Sequence, residues 1–289
     1  MEIITGKKSG FCYGVKNAID KCIDELEKTN ETLYCLGELV HNNTVTKELE
    51  NKGLVFVEDI KQSKGKTIIR AHGVPKEIYE EAKREKIELL DLTCPNVLKI
   101  HTIVQEYVRK KYYIFLIGKK EHPETIGTYS FCGKNSTIIS KVEEVDEAIK
   151  EIKKSQLGKL LIISQTTYSL KSFIDIVKKV QEEIAENIKI EVKNTICLAT
   201  EQRQKETEKI SKEVDLMIIV GGKHSSNTSK LYEISFKNCK NVIFAETKED
   251  IDISKMSKFQ KIGIMAGAST PVKIVDDIIQ IIQNSEIFV

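Results

Sequence analysis

The 289-residue chain has no apolar run of the ~18 residues that a membrane-spanning helix needs. Its opening residues, MEIITGKKSGFCYG, lack the apolar core of a signal peptide. The expected location is therefore cytoplasmic, with no membrane partner. Neither GxxxxGK(S/T) nor GxGxxG occurs, which argues against a P-loop nucleotidase and a classical dinucleotide site. No CxxC pair occurs, so the closely spaced thiols typical of structural zinc are missing. Arginine is scarce, being confined to Arg70, Arg84, Arg109 and Arg203. The other cations are lysines interleaved with glutamates, as in EEAKREKIE and QRQKETEKISKE, a pattern of solvated helix faces. With 45 basic and 43 acidic residues the net charge is only +2, and no basic stripe points to a nucleic-acid partner. What remains is an ordinary globular composition, 40% hydrophobic and 30% charged, long enough for one large domain or two to three small ones.

A weak threefold repeat organises that length. Short apolar runs end at Gly37, Gly118 and Gly221, and a polar residue follows four positions later at His41, His122 and Ser225. Asn43, Glu124 and Asn227 stand two positions further on. Each glycine follows a cysteine, Cys12, Cys94 or Cys197, at nearly equal separation. Three more apolar runs end in polar residues, at His72 in AHG, Thr166 in SQTT and Ser269 in GAST. Repeats of this kind are fold-level signals.

Strand-like runs alternate with helical periodicity almost throughout, as in IFLI before Gly118 and MIIV before Gly221. The expected fold class is α/β, with three similar modules and mostly parallel sheets. The modules are placed at 13–94, 95–195 and 196–289. The third lacks a closing strand of its own, so Glu2 to Thr5, within the segment 1–12, is expected to return and complete it. Ligands of such sheets gather beyond the carboxyl ends of the strands, where all these polar residues fall.

Seven cysteines in a reducing compartment serve as core filler, nucleophiles or metal ligands. Cys22, Cys35 and Cys239 read as buried small hydrophobes, and Cys132 in SFCGK is ambiguous. Cys12, Cys94 and Cys197 differ, each ending an apolar stretch at a turn or helix start. Three well-separated thiolates suit three irons of a 4Fe–4S cube and leave one iron without a cysteine. A zinc site, or three unrelated cysteines, stays open on spacing alone. Ser225 and Asn227, just before a helix expected from Ser229, suit an anion, although Ser226 and Thr228 could merely cap that helix. Glu124 is either a first-turn helix acid or a proton donor.

The segments GFCYGVKNAI, GELVHNN, RAHGVP, DLTCPNV, GKKEHPE, SQTT, TICLAT, GGKHSSNT and GAST together closely resemble the LytB family, the 4-hydroxy-3-methylbut-2-enyl diphosphate reductases. The resemblance covers essentially the whole chain. It implies a pseudo-threefold trefoil of three α/β modules around a central 4Fe–4S cluster held by Cys12, Cys94 and Cys197. It implies a diphosphate substrate held by His41, His72, His122, Ser225, Ser226, Asn227 and Ser269. Glu124 would deliver protons with help from Thr166, and Thr167 would line the same cavity. The implied activity is reductive dehydroxylation to isopentenyl and dimethylallyl diphosphates, the last step of the methylerythritol phosphate pathway. Ferredoxin or flavodoxin is the implied electron donor. The rival classes are a non-redox iron–sulfur hydratase and a metal-cluster sensor or binding protein. One departure is Asn17, where family members commonly carry arginine, one turn into a helix and away from the ligand-bearing loop.

Overall fold

Apolar strands of three to six residues, each ending in a polar turn, build parallel sheets, and the computed structural model describes them over residues 1–285. Positions 286–289, at the end of the third expected module, lie outside the described residues. The chain opens with β1 (Glu2–Thr5) and α1 (Tyr13–Lys28). The first sheet then follows as β2 (Tyr34–Leu36), β3 (Val55–Val57), β4 (Thr67–Ile69) and β5 (Leu89–Asp91), with α2 (Asn43–Asn51) and α3 (Lys76–Arg84) between them. The second comprises β6 (Tyr113–Ile117), β7 (Ser136–Ile139), β8 (Lys159–Ser164) and β9 (Lys189–Val192). Its helices are α4 (Pro95–Arg109), α5 (Pro123–Ser130), α6 (Val145–Ser155) and α7 (Leu170–Glu183). The third carries α8 (Leu198–Ser211), β10 (Leu216–Val220), α9 (Ser226–Asn238), β11 (Asn241–Ala245), β12 (Lys261–Ala266) and α10 (Val272–Ser285).

The three sheets share one topology. Their orders are β3-β2-β4-β5, β7-β6-β8-β9 and β11-β10-β12-β1, and every pairing is parallel. β1 pairs with β12 from Glu2↔Lys261 to Thr5↔Ile264, in the place that β5 and β9 hold in the other sheets. The strand-end bonds repeat as well: the amides of Gly37, Gly118 and Gly221 donate to Val57, Ile139 and Ala245.

Helices on both faces explain why the central strands are apolar at every position rather than at alternate ones. Tyr113, Phe115 and Ile117 of β6 enter one core with α6 and α7, while Ile114 and Leu116 enter the opposite core with α4. β10 does the same, sending Leu216, Ile218 and Val220 to one side and Met217 and Ile219 to the other.

The chain divides into two compact units. One holds Met1–Lys16, Val40–Glu48 and the described residues from Leu198 onward, with the third sheet; the other holds Asn17–Leu39 and Leu49–Cys197, with the first and second. Among the described residues no helix is long and apolar enough to cross a membrane. One helix start differs from expectation: α9 begins at Ser226 rather than Ser229, because the Ser225 side chain accepts the Thr228 amide and caps it.

Candidate active site

In the unit that holds the first two sheets, the loop after β6 carries His122 and Glu124. His122 is the N-cap of α5, and its Nδ1 accepts the Glu124 amide at 3.2 Å. That leaves Nε2 as the donor edge of the neutral ring. The His72 and His122 rings meet edge to face, with centroids 5.6 Å apart. Glu124, in the first turn of α5, is 3% exposed. Its Oε1 accepts the Thr166 amide at 2.6 Å and its Oε2 accepts the Thr166 hydroxyl at 2.7 Å. Burial pushes the carboxyl up to about 7, against the two Thr166 donors that favour the charged form. The result is a buried acid still half protonated near neutrality. Thr167, half-buried, receives a hydrogen bond from the Gln165 amide at 2.8 Å.

The other unit gathers the second set of expected residues. Ser225, Ser226, Asn227 and Ser269 are all buried around the start of α9. Ser269 Oγ donates to the His41 carbonyl at 3.1 Å. A Cβ on Gly222 would fall 2.6 Å from that same oxygen, so only glycine admits the His41 backbone. Neither Nδ2 nor Oδ1 of Asn227 has a hydrogen-bond partner, although the residue is 3% exposed. Leaving a buried amide unbonded costs about 1–3 kcal/mol, so a ligand or an ordered water there would be stabilising. The first loop also departs from the repeat. Asn42, not His41, caps α2 by accepting the Thr44 and Val45 amides, whereas His122 and Ser225 are themselves caps.

The seven cysteines separate into two groups. Cys22, Cys35, Cys132 and Cys239 are buried, and burial pushes the Cys22 and Cys132 thiols up to about 12 and raises Cys35 also. Thiols held that firmly protonated are poor ligands. Cys12, Cys94 and Cys197 are only half-buried, each at a strand-to-helix turn. Their amides donate to equivalent carbonyls, of Ala268, Ala71 and Thr166. This register corrects one expected equivalence: Thr167, not Thr166, corresponds to His72 and Ser269. The Asn96 amide lies 3.6 Å from Cys197 Sγ, which brings the Cys94 turn and Cys197 together in their unit. Cys12 stands in the other unit on a loop that sequence reasoning left unsupported. There Arg203 Nη2 donates to the Gly10 carbonyl at 2.6 Å, and the Glu206 carboxylate accepts the Lys7 and Lys8 amides. Three accessible thiols on pinned turns fit the donor set of an iron–sulfur cluster.

Repeated parallel α/β modules with equivalent thiol-bearing turns and a proton-holding carboxyl define a three-sheet α/β protein with the groups of an enzyme active site. The chain belongs to the LytB family, whose profile, described as LytB protein, matches residues 3–283. It is similar to the 4-hydroxy-3-methylbut-2-enyl diphosphate reductase of Clostridioides difficile (strain 630), 40% identical over 289 residues that span 98% of this chain and 100% of that one. A solved structure of the E-1-hydroxy-2-methyl-but-2-enyl-4-diphosphate reductase from Plasmodium falciparum matches with a TM-score of 0.87 and 33% identity, over 96% of this chain and 87% of that one. A second solved structure, of (E)-4-hydroxy-3-methyl-but-2-enyl diphosphate reductase, matches with a TM-score of 0.70 and 34% identity, over 98% and 100% of the two chains.

Proposed function

We infer that these loops serve the reaction of the family. The chain is an oxidoreductase that takes 4-hydroxy-3-methylbut-2-enyl diphosphate, two electrons and two protons to isopentenyl or dimethylallyl diphosphate and water, the last step of the methylerythritol phosphate pathway. We assign the diphosphate to His41, His72 and His122 and to Ser225, Ser226, Asn227 and Ser269. The supporting observations are the donor edge of His122, the unbonded Asn227 amide and the N-terminus of α9, all of which suit an anion.

We assign a 4Fe–4S cluster to Cys12, Cys94 and Cys197 in a pseudo-threefold arrangement of the modules. When bound it would supply one-electron transfer and, through the iron that no cysteine ligates, Lewis acidity. Ferredoxin or flavodoxin is the proposed donor of the electrons, and the cytoplasm the proposed location.

Glu124 carries the reading. A carboxyl held near pH 7 can give its proton to the departing hydroxyl and be reprotonated between turnovers. Thr166 fixes both carboxylate oxygens before and after that transfer, through its amide and hydroxyl. Thr167 lines the same cavity. An anaerobic assay of the reconstituted protein with the substrate and a reduced viologen tests this. Two electrons consumed per isoprenoid product are expected, with turnover at least 100-fold lower in Glu124→Gln. Normal turnover in that variant would remove Glu124 from the mechanism.

A further inference from the structure

Gln165 is 1% exposed, yet neither the fold nor the assigned chemistry requires a glutamine there. Its backbone amide closes the β8 end by donating to Ile117. Its side chain then turns towards the loop after β6. Oε1 accepts the Lys119 amide at 3.1 Å and the Thr125 hydroxyl at 3.3 Å, and Nε2 donates to Thr167 Oγ1 at 2.8 Å. The orientation of the amide follows from chemistry. A backbone N–H can only donate, so the atom facing Lys119 is the oxygen, and the NH2 group faces Thr167. Gly118 makes room for this arrangement. A Cβ there would lie 2.7 Å from Thr125 Oγ1 and 3.3 Å from Gln165 Oε1.

Two consequences meet at one side chain. Lys119 and Thr125 bracket His122 and Glu124, so Gln165 ties both ends of the acid-bearing turn to the end of β8. That strand end also carries Thr166, which bonds Glu124. Thr167 Oγ1 already accepts a hydrogen bond from the Gln165 NH2, which leaves its own hydroxyl hydrogen to donate elsewhere. An Oε1 and an NH2 on one buried group perform both tasks; a carboxylate of the same size keeps the first and loses the second, and an apolar chain performs neither.

We propose that Gln165 is a positioning residue for the reaction, locking the Glu124 turn onto β8 and fixing the Thr167 hydroxyl as a donor to the substrate. This rests on the reading that Glu124 gives the proton and that Thr167 lines the substrate cavity.

The test compares reconstituted wild type with Gln165→Ala and the isosteric Gln165→Glu, reading kcat, KM and thermal midpoint across pH. Gln165→Glu should raise KM at least fivefold at pH 8, where a carboxylate draws the Thr167 proton away from substrate. Gln165→Ala should admit water beside Glu124, whose bonded neighbours are Thr166 and, through its amide, His122. The basic limb of its kcat profile should move down by at least half a pH unit. A merely structural role would lower the thermal midpoint and leave both KM and that limb in place, which would overturn the proposal. If Gln165→Ala fails to fold, the KM of Gln165→Glu decides alone. A Glu124→Gln control separates the two layers: if it turns over normally, the site reading itself fails. If it is dead while both Gln165 variants behave as wild type, only this inference falls.

Discussion

Burial and hydrogen bonding pull Glu124 in opposite directions, and burial wins, holding the carboxyl near 7 where an unfolded glutamate sits near 4.5. Between those values the folded chain keeps a proton that the unfolded chain releases. Stability must therefore fall as pH rises through that window, by about 3 kcal/mol at 1.36 kcal/mol per unit, and level off above 7. Glutamine at this position keeps the bond from the Thr166 amide and cannot ionise. Glu124→Gln is thus expected to be more stable than wild type at pH 8 and to lose that advantage at pH 4.5, as read from urea midpoints of the cofactor-free protein. A gap that does not change with pH would contradict the raised carboxyl. Asn227 gives the complementary case, since neither polar atom of its side chain is bonded within the protein. Asn227→Ala should cost substrate affinity by about tenfold or more while moving the thermal midpoint little, because no internal bond is lost. A large fall in midpoint with unchanged KM would make Asn227 a structural residue.

At the scale of elements, the strand-to-helix turns set which thiols are available. The Cys12, Cys94 and Cys197 turns are tied by the same amide-to-carbonyl bond and leave their sulfurs half-buried, while the other four cysteines lie inside cores. Brief iodoacetamide treatment of the folded, cofactor-free protein should carbamidomethylate those three first, as followed by peptide mass spectrometry. Equal labelling of Cys132 would break the distinction. The strands were readable because central parallel strands are apolar at every position, and runs such as YIFLI and LMIIV have no other use in a chain this polar. The loops were readable only in outline. Counting residues aligned Thr166 with His72, whereas the bonds of the cysteine amides align Thr167, because loop lengths differ between modules and spacing carries no hydrogen-bond register. Gln165 gave no signal, since a glutamine between serine and threonine looks like any polar turn until Lys119, Thr125 and Thr167 are seen bonded to it. Sequence order also gave no hint that Val40–Glu48 joins the unit of the third sheet. The cause is a close approach at Gly222 that chain order does not encode.

Over the whole molecule, the third sheet is closed by the far end of the chain. β1 reaches β12 across almost the full sequence, and its two central residues serve opposite cores: Ile3 packs with the α10 side and Ile4 with the α8 and α9 side. Loop closure over so long a span is entropically costly, and the exposed Lys261–Glu2 pair at 3.4 Å adds little, so apolar packing must hold the strand. β1 also sets the course of the segment that ends at Cys12, whose amide reaches Ala268 just beyond β12. A charge at Ile4 should therefore act on loading of the proposed cluster as well as on stability. Ile4→Asp is expected to destabilise by ~1–3 kcal/mol, as for a partly buried apolar side chain replaced by an unpaired carboxylate. Its iron and sulfide content after reconstitution should drop well below that of wild type, whereas Ile4→Val should retain both. Stoichiometric iron in Ile4→Asp would show that Cys12 is sited without β1, by the Arg203 and Glu206 bonds to its loop alone.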